Sequence, residues 1–432
     1  MMAWNTEPLE DCLEALLDYR GKSPVKSDRG IPVLSAKVVK TAGLIRPIEQ
    51  TITPDYYPKW MTRGYPQPGD VVMTTEAPLG EVIQLDEETA TFALGQRIVC
   101  LRGKADKLDN GFLRYLLTSP NQQEILASRA TGTTVLGISQ KALRSMPISF
   151  PELNEQRTIG ALLASLDDKI ELNRKMNETL EAMARAIFRD WFVDFGPTRA
   201  KMEGRPAYLS EDLWSLFPDR LDDEGKPEGW EFGTIANCTK SIFSGGTPQT
   251  TKPSYWGGHI PWLSSGETRN LVVLETDRTI TEEGVKNSST RLAPKGSTVI
   301  ASAGQGNTRG QASLLSIDMY INQSVIAAVA DEQVTSATLL FLDLSRRYEE
   351  LRQISDSNSS RGSLTTKMVA ALKTVIAPTQ IVAAFEGTVG PIMDRIVQNE
   401  RGSGTLARTR DLLLPRLMSG ELRVYEDCGA KN

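Results

Sequence analysis

Acid–base and metal chemistry near neutral pH leans on histidine, and this 432-residue chain has one, His259. A Ser–His–Asp triad would depend on that single imidazole, and a zinc site would have to be rich in cysteine. Cys12, Cys100, Cys238 and Cys428 lie far apart with no CxxC pair, so a zinc knuckle or redox dithiol has no support. They fit free thiols in a reducing cytoplasm. No GxGxxG or GxxxxGK[ST] is present, so no phosphate-cradling loop is expected. The Asn- or Asp-Pro-Pro-aromatic motif with which an amino-methyltransferase holds its base is also absent. One pattern does suggest catalysis. Pro218-Asp219 followed by Glu224-Gly225-Lys226 spells PD…ExK, the carboxylates and lysine of a Mg²⁺ nuclease. That chemistry needs the ExK on a packed strand, and DRLDDEGKPEG has no apolar neighbours to build one.

What remains is basic and polar side chains on glycine-rich, turn-prone stretches, the chemistry of nucleic-acid contact. The first part of the chain offers Lys37 and Lys40 after IPVLS and Arg63 in MTRGYPQPG. It also offers Arg129 with Thr131–Thr134, Thr133 among them, and Lys141. The second part offers Trp256, Ser265, Thr268 and Arg269 around IPWLS. Gln305, Asn307 and Arg309 follow in AGQGNTRG, then Arg361 and Lys367 in SSRGSLTTK. Arg, Asn and Gln can read base edges, while Lys and backbone amides hold phosphates. The plainer alternative for each is a solvated loop residue.

These stretches recur in order. IPVLS at Ile31–Ser35 returns as IPWLS at Ile260–Ser264, a shift of 229. Trp4 and Trp230, Cys12 and Cys238, and DKIELN at Asp168–Asn173 and DRIVQN at Asp394–Asn399 are each shifted by 226. A near-constant shift of half the chain implies two homologous halves. Each half opens with about 150 residues of short β-type runs such as Val71–Thr75, Ile98–Leu101, Val299–Ala301 and Val325–Ala330. Leu113–Leu117 and Leu339–Leu344 read as short helices within them. A proline, Pro151 or Pro378, then precedes a long helical pattern.

In the first pattern, about Glu155–Phe195, Ile159, Leu166, Asn173, Leu180 and Ile187 occupy successive heptad a positions. In the second, Phe385, Ile392, Asn399, Leu406 and Leu413 do so. Two seams in the same phase predict two helices packed together. Each carries a mid-seam asparagine, and an a-position Asn costs stability but fixes register. In an antiparallel pair Asn173 and Asn399 meet. Gly402-Ser403-Gly404 predicts a kink or fraying in the second helix. The organisation read from the sequence is therefore 1–150, a first β-rich domain; 151–196, a long helix; and 197–227, an irregular linker with one short helix near Glu211–Phe217. A second domain, 228–377, a second long helix, 378–425, and a tail, 426–432, complete it.

The net charge of −5 argues at first against nucleic acid. By segment, 1–150 holds 17 bases and 17 acids, 151–227 holds 11 and 16, 228–377 holds 14 and 14, and 378–432 holds 7 and 7. The excess acid lies in the first long helix and linker, so each β-rich block can present a basic face. No run of 18 apolar residues exists, and MMAWNTEPLEDC is too acidic and polar for a signal peptide, which predicts a cytoplasmic protein.

Several longer stretches together resemble the specificity (S) subunit of type I restriction–modification enzymes. They are DYRGKSP at Asp18–Pro24 leading into GIPVLSAK, TGTTVLGISQKALRSMPISFP at Thr131–Pro151, and AIFRDWFVDFGPTRAKMEGRP at Ala186–Pro206. LFPDRL at Leu216–Leu221, PEGW at Pro227–Trp230 and LLLPRLMSGELRV at Leu412–Val424 complete the set. The resemblance implies an α+β chain with two homologous mixed α/β target recognition domains. They would be separated by two long helices in an antiparallel, pseudo-twofold coiled coil. Each domain would read half of a bipartite, asymmetric DNA target, and helices of about 60 Å would set the spacer. The resemblance implies no catalysis by this chain. Two modification subunits carrying S-adenosylmethionine and methylating adenine would dock beside it, with restriction subunits that use ATP and Mg²⁺ to translocate and cut. Trp191, Phe192, Phe195, Leu413, Leu414 and Leu417 are candidates for that docking; alternatively they close the coiled coil. The competing classes are a self-contained DNA methyltransferase or nuclease, and a protein scaffold that does not read DNA.

Overall fold

The computed structural model describes residues 4–19, 23–132, 134–304, 306–358 and 362–424. They form two compact units. Leu172–Ser403 make the second, and the described residues on either side make the first.

Runs of β-branched and apolar residues become the central strands of each unit. In the first, Leu13–Asp18, Ile98–Gly103, Val71–Thr75 and Leu79–Gln84 lie side by side as an antiparallel sheet. Period-two alternation splits their side chains between two cores. Val71, Met73, Val99 and Leu101 pack with Phe112, Leu113 and Leu116 of a covering helix, Asn110–Thr118. Val72, Ile98 and Cys100 face the other way, onto Val33, Leu34 and Leu94. Those belong to a smaller sheet in which Ile31–Leu34 runs antiparallel to Thr51–Ile52 and parallel to Ala93–Leu94. Asn5–Pro8 pairs with Pro147–Phe150.

The second unit repeats this plan with added strands. Thr239–Ser244, Val325–Ala330, Thr298–Ala301 and Ala312–Leu315 form the main sheet, extended by Val272–Val273. Ile300, Ile326 and Ala328 pack beneath Leu340 and Leu344, while Val299, Val325 and Ala327 face Leu263 and Ile321. Trp256–Leu263 runs antiparallel to Arg278–Ile280 and parallel to Met319–Ile321, and Glu231–Thr234 pairs with Lys373–Ile376. The covering helices are capped alike. The Asp109 side chain accepts from Phe112 N–H at 2.9 Å, and Ser336 Oγ accepts from Leu339 N–H at 3.1 Å.

The long patterns form helices Leu153–Phe192 and Thr379–Met418, each of 40 residues. The boundary between the two units falls inside both. In the first unit their segments run antiparallel. Ile159 and Leu163 share a core with Leu417 and Met418, and Asp167 accepts from Arg410 Nη1 at 2.7 Å. Asp167 also takes Arg114 Nη2 at 2.9 Å and Tyr115 O–H at 2.7 Å. One carboxylate thus ties both helices to the covering helix. Burial holds the Tyr115 phenol protonated, well above its usual range.

In the second unit the helices meet over a polar layer. Asn173 Nδ2 donates to the Asn399 carbonyl at 3.3 Å and to Ser403 Oγ at 3.1 Å. The Asn399 amide donates to Asn177 Oδ1 at 2.8 Å, and Asn177 Nδ2 donates to Glu400 at 2.8 Å. All three asparagines are buried. Gly402-Ser403-Gly404 is unbroken helix, not the frayed stretch that composition predicts. Ser403 is held by Asn173, and Gly402 lies against the same amide, where a Cβ would come within 3.7 Å. Packing overrides propensity here.

The segment after the first long helix is more ordered than its composition suggests. A helix over Gly196–Met202, missed in the sequence, precedes the short helix Glu211–Leu216. It buries Pro197, Thr198 and Ala200. Glu224 and Lys226 of the PD…ExK pattern lie in a turn. Lys226 Nζ bonds Asp222 and Glu224 beside the Leu221–Pro227 bridge. Among the described residues no His, Cys, Asp and Glu cluster could hold a metal, and no helix is long and apolar enough to cross a membrane.

The polar layer predicts a stability effect. Asn399→Ala strands the buried Asn177 oxygen and should cost about 1–3 kcal/mol in denaturant unfolding. An unchanged midpoint would show that the layer carries no such constraint.

Candidate nucleic-acid interface

Each main sheet ends in a hairpin tip between its third and fourth strands, and in both units a second loop clamps that tip. In the first unit Thr75 N–H donates to the Arg97 carbonyl and Ile138 N–H to the Thr75 carbonyl, at 2.8 and 3.0 Å. In the second unit Ser302 N–H donates to the Ser324 carbonyl and Leu364 N–H to the Ser302 carbonyl, both at 2.9 Å. The frames match, but the tips differ. The first tip is Glu76-Ala77-Pro78, with Glu76 paired to Arg97 at 3.7 Å. The second is the glycine-rich stretch between Thr298–Ala301 and Ala312–Leu315, where Gly304, Gly306 and Gly310 have positive φ.

Side chains from several elements lock the second tip. Arg309 is buried; its Nη1 donates to the Gly362 carbonyl at 3.0 Å and its Nη2 pairs with Asp356. Arg352 Nη1 donates to the Gly306 carbonyl at 2.7 Å, and Tyr348 O–H to the Asn307 carbonyl at 3.0 Å. Arg269 Nη2 reaches Thr308 Oγ1 at 3.4 Å. Arg269 and Asn307 therefore converge on one surface, where both are exposed. Arg309 is not a surface contact; its guanidinium is consumed in anchoring the loop. Thr268 is also withdrawn from the surface. It is 1% exposed and donates to the Ser265 carbonyl at 2.9 Å.

The other candidates scatter over their units. Lys37, Lys141 and Lys367 are exposed. Lys40 lies 3.9 Å from Glu81. Arg63 is exposed, with its guanidinium 5.9 Å over the Tyr19 ring and bonded to the Asp18 carbonyl. Arg129 is half-buried against Ser145, which accepts from its Nη1 at 3.3 and 3.4 Å. Trp256 lies beneath the Arg278 guanidinium at 3.6 Å and edge-on to Trp262 at 5.0 Å. Nothing in the sequence singled out Arg278, 22 residues away, as its cover. Thr133, Gln305, Arg361 and Cys428 lie outside the described residues.

Most of the expected docking residues are core. Trp191, Phe192 and Phe195 are buried with Phe188, Phe217, Trp230 and Phe385 in the second unit. The Trp191 and Phe217 rings meet edge to face at 5.0 Å, as do Phe192 and Phe385. Leu417 is fully buried in the first unit. Leu413 and Leu414 are half-buried, and their neighbour Leu412 is exposed. Sequence marks an aromatic run at a helix end but not whether a partner or the chain itself covers it.

Two copies of one α+β frame, alike in strand order and unlike at their loop tips, define a duplicated recognition protein. A family model described as the type I restriction modification DNA specificity domain matches residues 4–182 and 227–381, most of the chain in two copies. The chain belongs to this family: it is a type I restriction–modification specificity subunit with two DNA sequence-recognition domains. It is 25% identical over 403 residues to the HindI specificity subunit of Haemophilus influenzae, covering 82% of this chain and 86% of that one. It is 26% identical over 380 residues to the MjaIX specificity subunit of Methanocaldococcus jannaschii, covering 88% and 83%. The crystal structure of a type I S subunit from M. genitalium shares the fold, with a TM-score of 0.60 at 16% identity over 96% of both chains.

The tip geometry separates reading from anchoring. Arg269→Ala and Asn307→Ala should leave unfolding within about 0.5 kcal/mol of the parent. Each should weaken sequence-specific DNA binding by the assembled enzyme by about 1–3 kcal/mol. Arg309→Ala should instead lower stability by about 1–3 kcal/mol, read by thermal unfolding.

Proposed function

We propose that each unit reads one half of a bipartite, asymmetric DNA target and that the paired helices set the unread spacer. The observation that carries this is the repetition of one strand plan with different loop tips. Equal frames would present their tips in equivalent ways, and unequal tips would read unequal half-sites. Arg269 and Asn307 are suited to base edges, and Lys37, Lys141 and Lys367 to phosphates.

The chain leaves chemistry to its partners in this reading. Modification subunits bring S-adenosylmethionine and methylate adenine, and restriction subunits bring ATP-driven translocation and Mg²⁺-dependent cleavage. Docking falls to the outer faces of the long helices, with Leu412, Leu413 and Leu414 the apolar positions still accessible. The assembly works in the cytoplasm, where its DNA lies. With a net charge of −5, the chain draws much of its attraction for phosphate from those partners.

Two experiments test this. Removing one heptad from each helix outside the polar layer, residues 180–186 and 390–396, takes out about 10 Å of helical rise. The methylated motif, mapped by sequencing host DNA, should keep both half-sites and lose about three base pairs of spacer, or binding should be lost. Altered half-sites would overturn the ruler. Separately, the isolated chain should bind its target weakly at physiological salt in a gel-shift titration. Tight specific binding by the chain alone would contradict the division of charge.

A further inference from the structure

The loop that clamps the first hairpin tip carries an adjacent aliphatic pair, Val135 and Leu136. From Arg129 to Lys141 it carries two bases and no acid. Thr131 and Gly137 close it with a reciprocal pair of backbone hydrogen bonds, 2.8 and 3.0 Å long. Between them Val135 and Leu136 stand 46% and 50% exposed. They border a cleft of about 400 Å³ whose other walls are Ala77, Pro78, Leu79, Leu126 and Ala127, with Gln123 and Thr134. Adjacent large aliphatic side chains held out by a closed loop are not a scatter of single exposed residues. In the second unit the sequence Ser357–Lys367 also has two bases and no acid, but only serine, asparagine, arginine and glycine ahead of Leu364.

We propose that Val135 and Leu136 read thymine, packing on the 5-methyl group of a T·A pair in the half-site of the first unit. The inference rests on the reading that each unit recognises DNA. Basic residues without acids suit a phosphate backbone, and a loop tip that meets DNA can use an aliphatic side chain only against the thymine methyl or a base step. The stretch Ser357–Ser363 of the second unit has no adjacent aliphatic pair in its sequence to make such a contact. The asymmetry of the target is thereby chemical as well as sequential.

The test uses the assembled enzyme and duplexes of its own target in which each thymine in turn is replaced by deoxyuridine, which lacks only the methyl. At least one replacement, confined to one half-site, should weaken binding about fourfold, the worth of one buried methyl group. Val135→Ala and Leu136→Ala, at exposed positions, should fold and assemble normally and bind the thymine and deoxyuridine duplexes alike at that position. A target indifferent to every replacement overturns the proposal, as does a variant that keeps the parent's ratio. Variants that fail to join the modification subunit would show a protein contact instead, which also overturns it. A parent enzyme without sequence preference would sink the wider reading; specific binding indifferent to the methyl sinks this one alone.

Discussion

A buried amide in a helical seam has one satisfying partner arrangement, and that constraint fixes the register of the long helices. Asn173, Asn177 and Asn399 are buried with their donors assigned to a carbonyl, a serine hydroxyl, an amide oxygen and a glutamate. Sliding either helix by one turn would leave several of these groups unpaired, each at a cost comparable to a large core mutation. The aliphatic seam alone would tolerate such a slip far better. Apolar contacts supply attraction between the helices, and the polar layer supplies the address.

Much of this is legible in the sequence. The heptads marked both asparagines, and the constant shift of 226 residues marked the duplication that the strand order repeats. Asn177 escaped notice because it sits at an e position, where a polar residue ordinarily faces water; its partners come from a helix more than 200 residues away. The same distance problem misplaced Arg309 and Thr268. Both lie in turn-like sequence, yet Arg309 is claimed by Asp356 and Gly362, and Thr268 folds back on Ser265. Local sequence shows that a loop exists, but loop closure decides which of its side chains face out.

The aromatic run at the end of the first long helix makes the same point from the opposite side. Trp191, Phe192 and Phe195 look like an exposed adhesive patch. Phe217, Trp230 and Phe385, from three separate segments, convert them into core. The glycines of the second helix were misjudged for a related reason. Their intrinsic preference is outweighed once Asn173 bonds Ser403 between them and packs beside Gly402.

In both units the folding energy resides in the sheets, the covering helix and the helical seam, while several loop-tip side chains, Arg269, Asn307, Val135 and Leu136 among them, are exposed. Exchanging such a residue disturbs almost no packing. The gradient between frame and tip makes the chain unusually free to drift. Mutation can alter what is read without first having to survive a loss of foldedness, so a new preference is open to selection from its first appearance.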